Sequence, residues 1–245
     1  MLHNELLNEF TDNTQRFKYF HILASIYVAG IITSLTVSAR LLPFHVPFTD
    51  ITILLTAGTW TIPLSFFIQN ITTEVYGYSK SVHLVKLAVA VVFCYVLYIK
   101  ATTYFPIPEI QNIDASYNTV FDALPRHLIA LLTALLIGNI VNDYILSRLK
   151  IRMNGKYLAI RFVLATAVGE VALQVVGTSV AWFGNLKFQT EILPFIAFSY
   201  LYKVSFEALM SPVNIFVCNK LKQAEGIDIY DYNVNYSPFQ FRSKK

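Results

Sequence analysis

The stretch HLIALLTALLIGNIVNDYIL, residues 127–146, decides how this chain is read. It is long enough to cross a bilayer, which takes about 20 mostly apolar residues. Yet Asn139, Asn142 and Asp143 sit inside it, spaced so that all three share one helix face. In a soluble core these groups would be an unexplained cost. In a membrane bundle they would face inward and mark a candidate site. Composition chooses between the two. Of 245 residues, 55% are hydrophobic and only 14% charged, against about 25% charged in an average soluble domain. Mean hydropathy is +0.51. The chain reads as a polytopic membrane protein.

Six apolar segments of spanning length lie at roughly 18–39, 50–70, 82–104, 127–147, 157–183 and 191–219. Lys and Arg gather on alternate sides of them. Arg16 and Lys18 precede the first, and Lys80 and Lys86 follow the second. Arg148, Lys150, Arg152 and Lys156 follow the fourth. Lys220, Lys222, Arg242, Lys244 and Lys245 follow the sixth. The opposite loops hold Arg40 and Lys187, and the loop that FPIPE (105–109) opens carries Glu109, Asp114 and Asp122. Positive charge stays in the cytoplasm, so both termini are expected there. The expected architecture is an all-α, six-transmembrane-helix bundle spanning a cell inner membrane. It divides into a cytoplasmic tail over 1–17, a transmembrane domain over 18–219 and a cytoplasmic tail over 220–245.

Several function classes are excluded on the residues. There is no P-loop, no HExxH and no Gly-x-Ser-x-Gly elbow. Cys94 and Cys218 both lie in apolar segments and read as buried hydrophobes rather than metal ligands. The net charge of +4 gathers at segment ends and forms no basic stripe of the kind nucleic acid requires. The start of the chain, MLHNELLNEFTDNTQRF, lacks the basic and small-residue features of a secretory signal. No cofactor is expected, and the acids and bases are dispersed over different helices. That pattern suits a binding cavity better than a catalytic centre.

The polar residues within apolar runs are the candidates for that cavity, because a charge at the bilayer centre costs roughly 2.5–3.5 kcal/mol. In RFVLATAVGEVALQVVG, 161–177, Glu170 lies midway, with Gln174 one turn on along the same face. Gly169 and Gly177 permit close helix approach. Arg161, nearer the segment end, either snorkels or joins the site. Lys203 and Glu207 stand at i, i+4 and form either a structural ion pair or a relay. Asn70 and Glu74 share a face at the end of segment two, where Glu74 is either interfacial or functional.

Three stretches together resemble one family. NITTEVYGYSKS (70–81) has its Thr-Glu-x-Tyr-Gly core, RFVLATAVGE (161–170) its Arg-x-x-x-Ser/Thr-x-x-x-Gly-Gln/Glu pattern, and KQAEGIDIYDYNVNYSPFQF (222–241) its ending. The family is the vitamin-uptake-type, or queuosine precursor, transporters. The resemblance runs from about residue 20 onward. Arg126 matches an arginine common at the start of the family's fourth helix. Asn70 stands where an Asp is usual, and Leu173 where an Asp often follows the Gly-Gln pair.

The resemblance implies import of a 7-deazaguanine base for transfer RNA modification: 7-cyano-7-deazaguanine, its aminomethyl relative or queuine. The residues give independent support. A guanine-like edge offers a ring N–H and an amine side by side, which one carboxylate accepts together. Glu170 suits that role, with Gln174, Asn139 or Asn142 reading the remaining acceptors and an aromatic ring stacking on the base. The cavity is expected between segments two, four, five and six. The expected partners are this small purine-like base and the lipid bilayer, not nucleic acid. Energy coupling, a second copy and a separate energising module are left open. The rivals are a membrane-embedded enzyme and a non-transporting scaffold. A dry bundle, with Glu170, Asp143 and Asn70 paired internally, would favour the scaffold.

Overall fold

A computed structural model describes residues 17–46, 48, 50–105, 114–232 and 234–237. The N-terminal stretch 1–16, Glu109 in the third loop, and the Pro-Phe of the C-terminal ending lie outside the described residues. Helix α1 is Phe20–Val37, followed by strands β1, Leu41–His45, and β2, Thr52–Thr56, and a 3₁₀ turn at Ala57–Trp60. Helices α2, Ile62–Tyr76, and α3, Tyr78–Thr102, come next. Then follow α4, Asp114–Phe121, and α5, Leu124–Ala134, which passes through a π-helical turn at Leu135–Asn139 into α6, Ile140–Arg152. Helix α7 is Leu158–Trp182. A second π-helical turn, Phe188–Ile192, leads into α8, Leu193–Glu225.

Among the described residues, five helices are long and apolar enough to cross a membrane: Phe20–Val37, Tyr78–Thr102, Ala115–Arg152, Leu158–Trp182 and Phe188–Glu225. Their outward faces are apolar, as with Leu87, Val91, Leu164, Val168 and Val175, so the hydrocarbon of a bilayer is their natural solvent. The expected helical segment at 50–70 is corrected. Its first part is strand β2, paired antiparallel with β1 in the register Leu41 to Thr56 and His45 to Thr52. Hydropathy alone cannot tell an apolar strand from an apolar helix. Here β-branched Thr52, Ile53 and Thr56 favour the strand, and Pro63 favours a helix start only at Ile62. The hairpin packs on the start of α8, with Leu55 fully buried, Ile53 beside Phe195, and Phe44 against Phe198 at 4.7 Å between centroids.

Helix α2 is therefore short. Its 15 residues rise about 22 Å at 1.5 Å each, less than the ~30 Å of a hydrocarbon core. Every residue in it except Leu64 is buried. It is sheathed by α1, α3, α6 and α8. Helix α7 packs along α5, α6 and α8. The approach is close because Gly138 and Gly169 meet: a Cβ on Gly169 would lie 2.8 Å from the Gly138 carbonyl and 2.7 Å from the Asn142 Cβ. That crossing carries the polar face of α6 up against α7.

Both described chain ends lie at the same end of the bundle. Phe17 packs against Tyr76 at a tilt, 5.7 Å between centroids, and the Tyr78 hydroxyl donates to the Tyr236 carbonyl at 2.9 Å. We call this the tail end and the opposite one the hairpin end.

Candidate functional site

A partly open cleft of about 130 Å³ lies at the hairpin end, between α1, the Ala57–Trp60 turn, α5, α7 and α8. The size is comparable to an engineered cavity of about 150 Å³ that takes up benzene, so a small planar ligand is on scale. His127 and Trp182 meet edge-on in one wall, 5.1 Å between centroids. On the α7 and α8 side the polar lining comes from Gln174, Thr178, Ser199 and Lys203, and opposite them from Ser34, Ser38, Thr56 and Thr59. Ser199 Oγ is buried without a hydrogen-bond partner.

Glu170 lies beneath this lining and is fully buried. Its Oε2 accepts from Lys203 Nζ at 2.9 Å and from Gln174 Nε2 at 3.2 Å, while its Oε1 has no partner. Thr178 Oγ1 in turn donates to Gln174 Oε1 at 3.2 Å. Lys203 thus pairs across helices with Glu170 rather than along α8 with Glu207. Glu207 accepts instead from Asn214 Nδ2 at 2.8 Å.

Two polar networks fill the middle of the bundle. Asn142 Nδ2 donates to Asn70 Oδ1 at 2.8 Å, and Asn70 Nδ2 to Thr166 Oγ1 at 3.2 Å. Beside them, Asn139 Nδ2 donates to Gln69 Oε1 at 2.6 Å and to the Tyr27 hydroxyl at 2.9 Å. Gln69 Nε2 and Thr73 Oγ1 both donate to Asp143 Oδ1, at 2.9 and 2.7 Å.

The tail end holds an ionic hub. Glu74, fully buried, accepts from Arg161 Nη1 at 2.5 Å and Nη2 at 3.2 Å, and from Lys222 Nζ at 2.6 Å. Lys150 Nζ lies 3.6 Å from Glu74 Oε1 and donates to the Glu74 carbonyl, to Asp228 and to the Ile229 carbonyl at 2.6–2.7 Å. Lys222 also reaches Asp228 at 2.9 Å. Partial burial alone would raise the Asp228 carboxyl. The hydrogen bonds and charges of Lys150 and Lys222 outweigh it and hold the group below its ordinary value.

The helix break at Gly77 belongs to the same assembly. Its φ of +82° is one that L side chains rarely adopt, and a Cβ there would meet Asp231 Oδ1 and Ile229 Cγ2 at 2.9 Å. Asp231 accepts from the Tyr78 backbone N–H at 3.0 Å and from Ser147 Oγ at 2.6 Å. Glu225 accepts from Tyr76 Oη and from the Tyr19 N–H, each at 2.7 Å, so α8 caps the start of α1.

The sequence candidates therefore separate into groups. Gln174 and Lys203 line the cleft, with Glu170 directly beneath. Asn70 and Asn142 form one central network and Asn139 and Asp143 the other, paired inside the bundle. Glu207 lies with Asn214 on α8, away from its expected Lys203 partner. Glu74 and Arg161 sit at the tail end, in the hub. Arg126 turns away from all of these and caps the end of α7, donating to the Val180 carbonyl at 3.1 Å, Asn185 at 3.2 Å and the Phe183 carbonyl. Sequence reading missed His127 and Ser199 at the cleft. It missed Gln69, Thr73 and Tyr27 around Asp143, and Lys150 and Asp228 at the hub. Adjacent Gln69 and Asn70, and the spacing of Glu225, Asp228 and Asp231 by three, were the available signals.

A family model described as "Putative vitamin uptake transporter" matches residues 56–217, about two thirds of the chain, and the chain belongs to that family. Comparison with curated proteins and with solved structures returns no match.

Proposed function

We propose that this member of the vitamin uptake transporter family imports a queuosine precursor across the cell inner membrane for transfer RNA modification. The candidates are 7-cyano-7-deazaguanine, 7-aminomethyl-7-deazaguanine and queuine. The reading has the chain pass the membrane six times, α2 counted together with its hairpin, with both termini cytoplasmic. Two observations support that count: both described ends lie at one end of the bundle, and Lys and Arg gather there. The cleft then faces outward.

The observation that carries the substrate reading is the Glu170–Lys203–Gln174 triad under the cleft. A guanine-like edge presents a carbonyl, a ring N–H and an amine in a row. A cation beside a carboxylate is its complement: Lys203 or Gln174 donates to the carbonyl, and Glu170 accepts from the two nitrogen donors. The base enters along the wall formed by His127 and Trp182 and shifts Lys203 from Glu170 Oε2 toward its own carbonyl. A ligand lacking one of these groups leaves a buried polar atom unpaired, which supplies discrimination. A non-transporting scaffold is favoured by one observation, the internal pairing of Asn70 and Asp143.

The test uses cells that cannot synthesise queuosine precursors and lack their own importer. They express the wild type or Glu170→Gln at equal abundance, with each base supplied in turn, and queuosine in transfer RNA is read. Restoration by the wild type and loss in the variant is expected. Correctly inserted wild type that restores the modification with none of the bases refutes the substrate assignment.

A further inference from the structure

Asp143 is unlike the other acids of the bundle. Glu170 has Lys203, Glu74 has Arg161, and Glu74 and Asp228 share Lys150 and Lys222. Asp143 is fully buried, and among the described residues no cation reaches it. Its hydrogen-bond donors, Gln69 and Thr73, are neutral and both address Oδ1, leaving Oδ2 sealed from solvent without a donor. The surroundings share that deficit. Asn139 Oδ1, Asn142 Oδ1 and Ser81 Oγ are likewise buried and unpartnered. Asn139 and Asn142 occupy the Asp143 face of the helix, and Ser81 and Asn142 stand near enough to the carboxyl to turn a donor toward it, beyond the reach of a close hydrogen bond.

A fully buried carboxyl with no cation beside it and one oxygen without a close donor is a site short of positive charge, which a proton or a hard cation can supply. The backbone contributes a second, independent sign. The π-helical turn Leu135–Asn139 leads straight into this face, and such turns recur at functional sites. The titratable groups packed around Asp143 are Tyr27 of α1 and Tyr78 of α3, with Asp231 of the tail beyond Tyr78. Of the cations of α6, α7 and α8, Lys150, Arg161 and Lys222 are engaged in the hub, Lys203 with Glu170, Arg148 over Tyr144 and Tyr236, and Lys220 over Phe216. Glu207 also lacks a cation, but it has no oxygen sealed from solvent without a partner.

We propose that Asp143 is the seat of a monovalent cation, a proton or Na⁺, that the protein exchanges while it transports its substrate. The site itself stands on these observations; its use in transport rests on the importer reading. It lies between the cleft and the hub, where loading and release of a charge can bias which end of the bundle is closed.

The test has two arms on the full-length protein. First, thermal unfolding in detergent is followed against Na⁺ at constant pH and ionic strength, and against pH at constant Na⁺. Bound cation stabilises the folded state by mass action: about tenfold in the folding equilibrium for each tenfold rise above its dissociation constant. The wild type responds to one of the two cations, and that response identifies it. Asp143→Asn, which keeps the acceptor for Gln69 and Thr73, loses the response, and Glu207→Gln retains it. A wild type indifferent to both cations, or a response that survives in Asp143→Asn, overturns the proposal. Where Asp143→Asn does not fold, Asp143→Glu stands in and must shift the cation concentration at half-response; an unshifted midpoint overturns the proposal.

Second, proteoliposomes are loaded with each candidate base under a proton or Na⁺ gradient. Wild type accumulates base with the matching gradient, whereas Asp143→Asn only equilibrates and exchanges it. Accumulation by Asp143→Asn equal to wild type overturns the coupling. Absence of any transport together with a cation response in the first arm refutes the importer reading and leaves the cation site standing.

Discussion

Replacing Glu74 by Gln removes the negative centre of the tail-end hub while keeping its shape. Both Glu74 oxygens are committed: Oε2 to Arg161 at 2.5 Å, Oε1 to Arg161 at 3.2 Å and Lys222 at 2.6 Å. Breaking a buried ion pair by removing one partner costs about 3–5 kcal/mol. The loss falls on Arg161, which is fully buried. It retains bonds to the Gly155 and Lys156 carbonyls at 3.0 Å, so the lower bound, about 3 kcal/mol, applies. Lys150 and Lys222 keep Asp228. For a chain of this size 1 kcal/mol moves Tm by roughly 2–4 °C, so Glu74→Gln lowers it by about 6–12 °C. The assay is thermal unfolding of the purified full-length protein in detergent, with Glu74→Gln, Arg161→Gln and the double variant side by side. The double variant, with no uncompensated guanidinium, loses clearly less than the sum of the singles. A Tm within about 3 °C of wild type for Glu74→Gln, roughly 1 kcal/mol, refutes the claim that this hub ties the tail to the helices.

Three further outcomes follow from the geometry. Gly77→Ala forces an unfavourable φ, costs about 1–3 kcal/mol and drives a methyl group into Asp231; tryptic cleavage at Lys222 should accelerate, and unchanged cleavage would count against the tail's docking there. Trp182→Ala should weaken base binding by about 1 kcal/mol, roughly fivefold in Kd, with the fold intact by thermal unfolding; unaltered affinity would place the base elsewhere. For Asp228, a carboxyl held below its ordinary value stabilises the fold fully above that value and loses the contribution as pH falls through the folded one. The Tm gap between wild type and Asp228→Asn should hold near neutrality and close below the ordinary aspartate value of about 3.9; a gap that widens in acid would reverse the assignment.

The five long spans were legible because each is a continuous apolar run with polar ends. The residues 50–56 were not, because Ile, Leu and Thr serve a buried strand as well as a membrane helix. At the site, spacing alone placed Asn139, Asn142 and Asp143 on one face, and Glu170 one turn from Gln174 on another. Partnership was not legible: Lys203 chooses Glu170 on another helix over Glu207 on its own, a matter of how α8 packs along α7. The resemblance in 70–81, 161–170 and 222–241 joins three stretches far apart in sequence, and the structure brings Glu74, Arg161, Lys222 and Asp228 into one cluster.

The shortness of α2 has a consequence for how the protein is made. With Gln69, Asn70, Thr73 and Glu74 in a 15-residue helix, the segment is a poor substrate for stable insertion by itself, since polar side chains are penalised at membrane depth. Their partners further along the chain, Asn139, Asn142, Asp143, Arg161, Thr166 and Lys222, emerge from the ribosome some 70 to 148 residues later. The second segment must therefore wait, chaperoned or at the interface, until α6 and α7 arrive. Biogenesis of this membrane protein is then not strictly N- to C-terminal: its most buried helix is among the last to be seated.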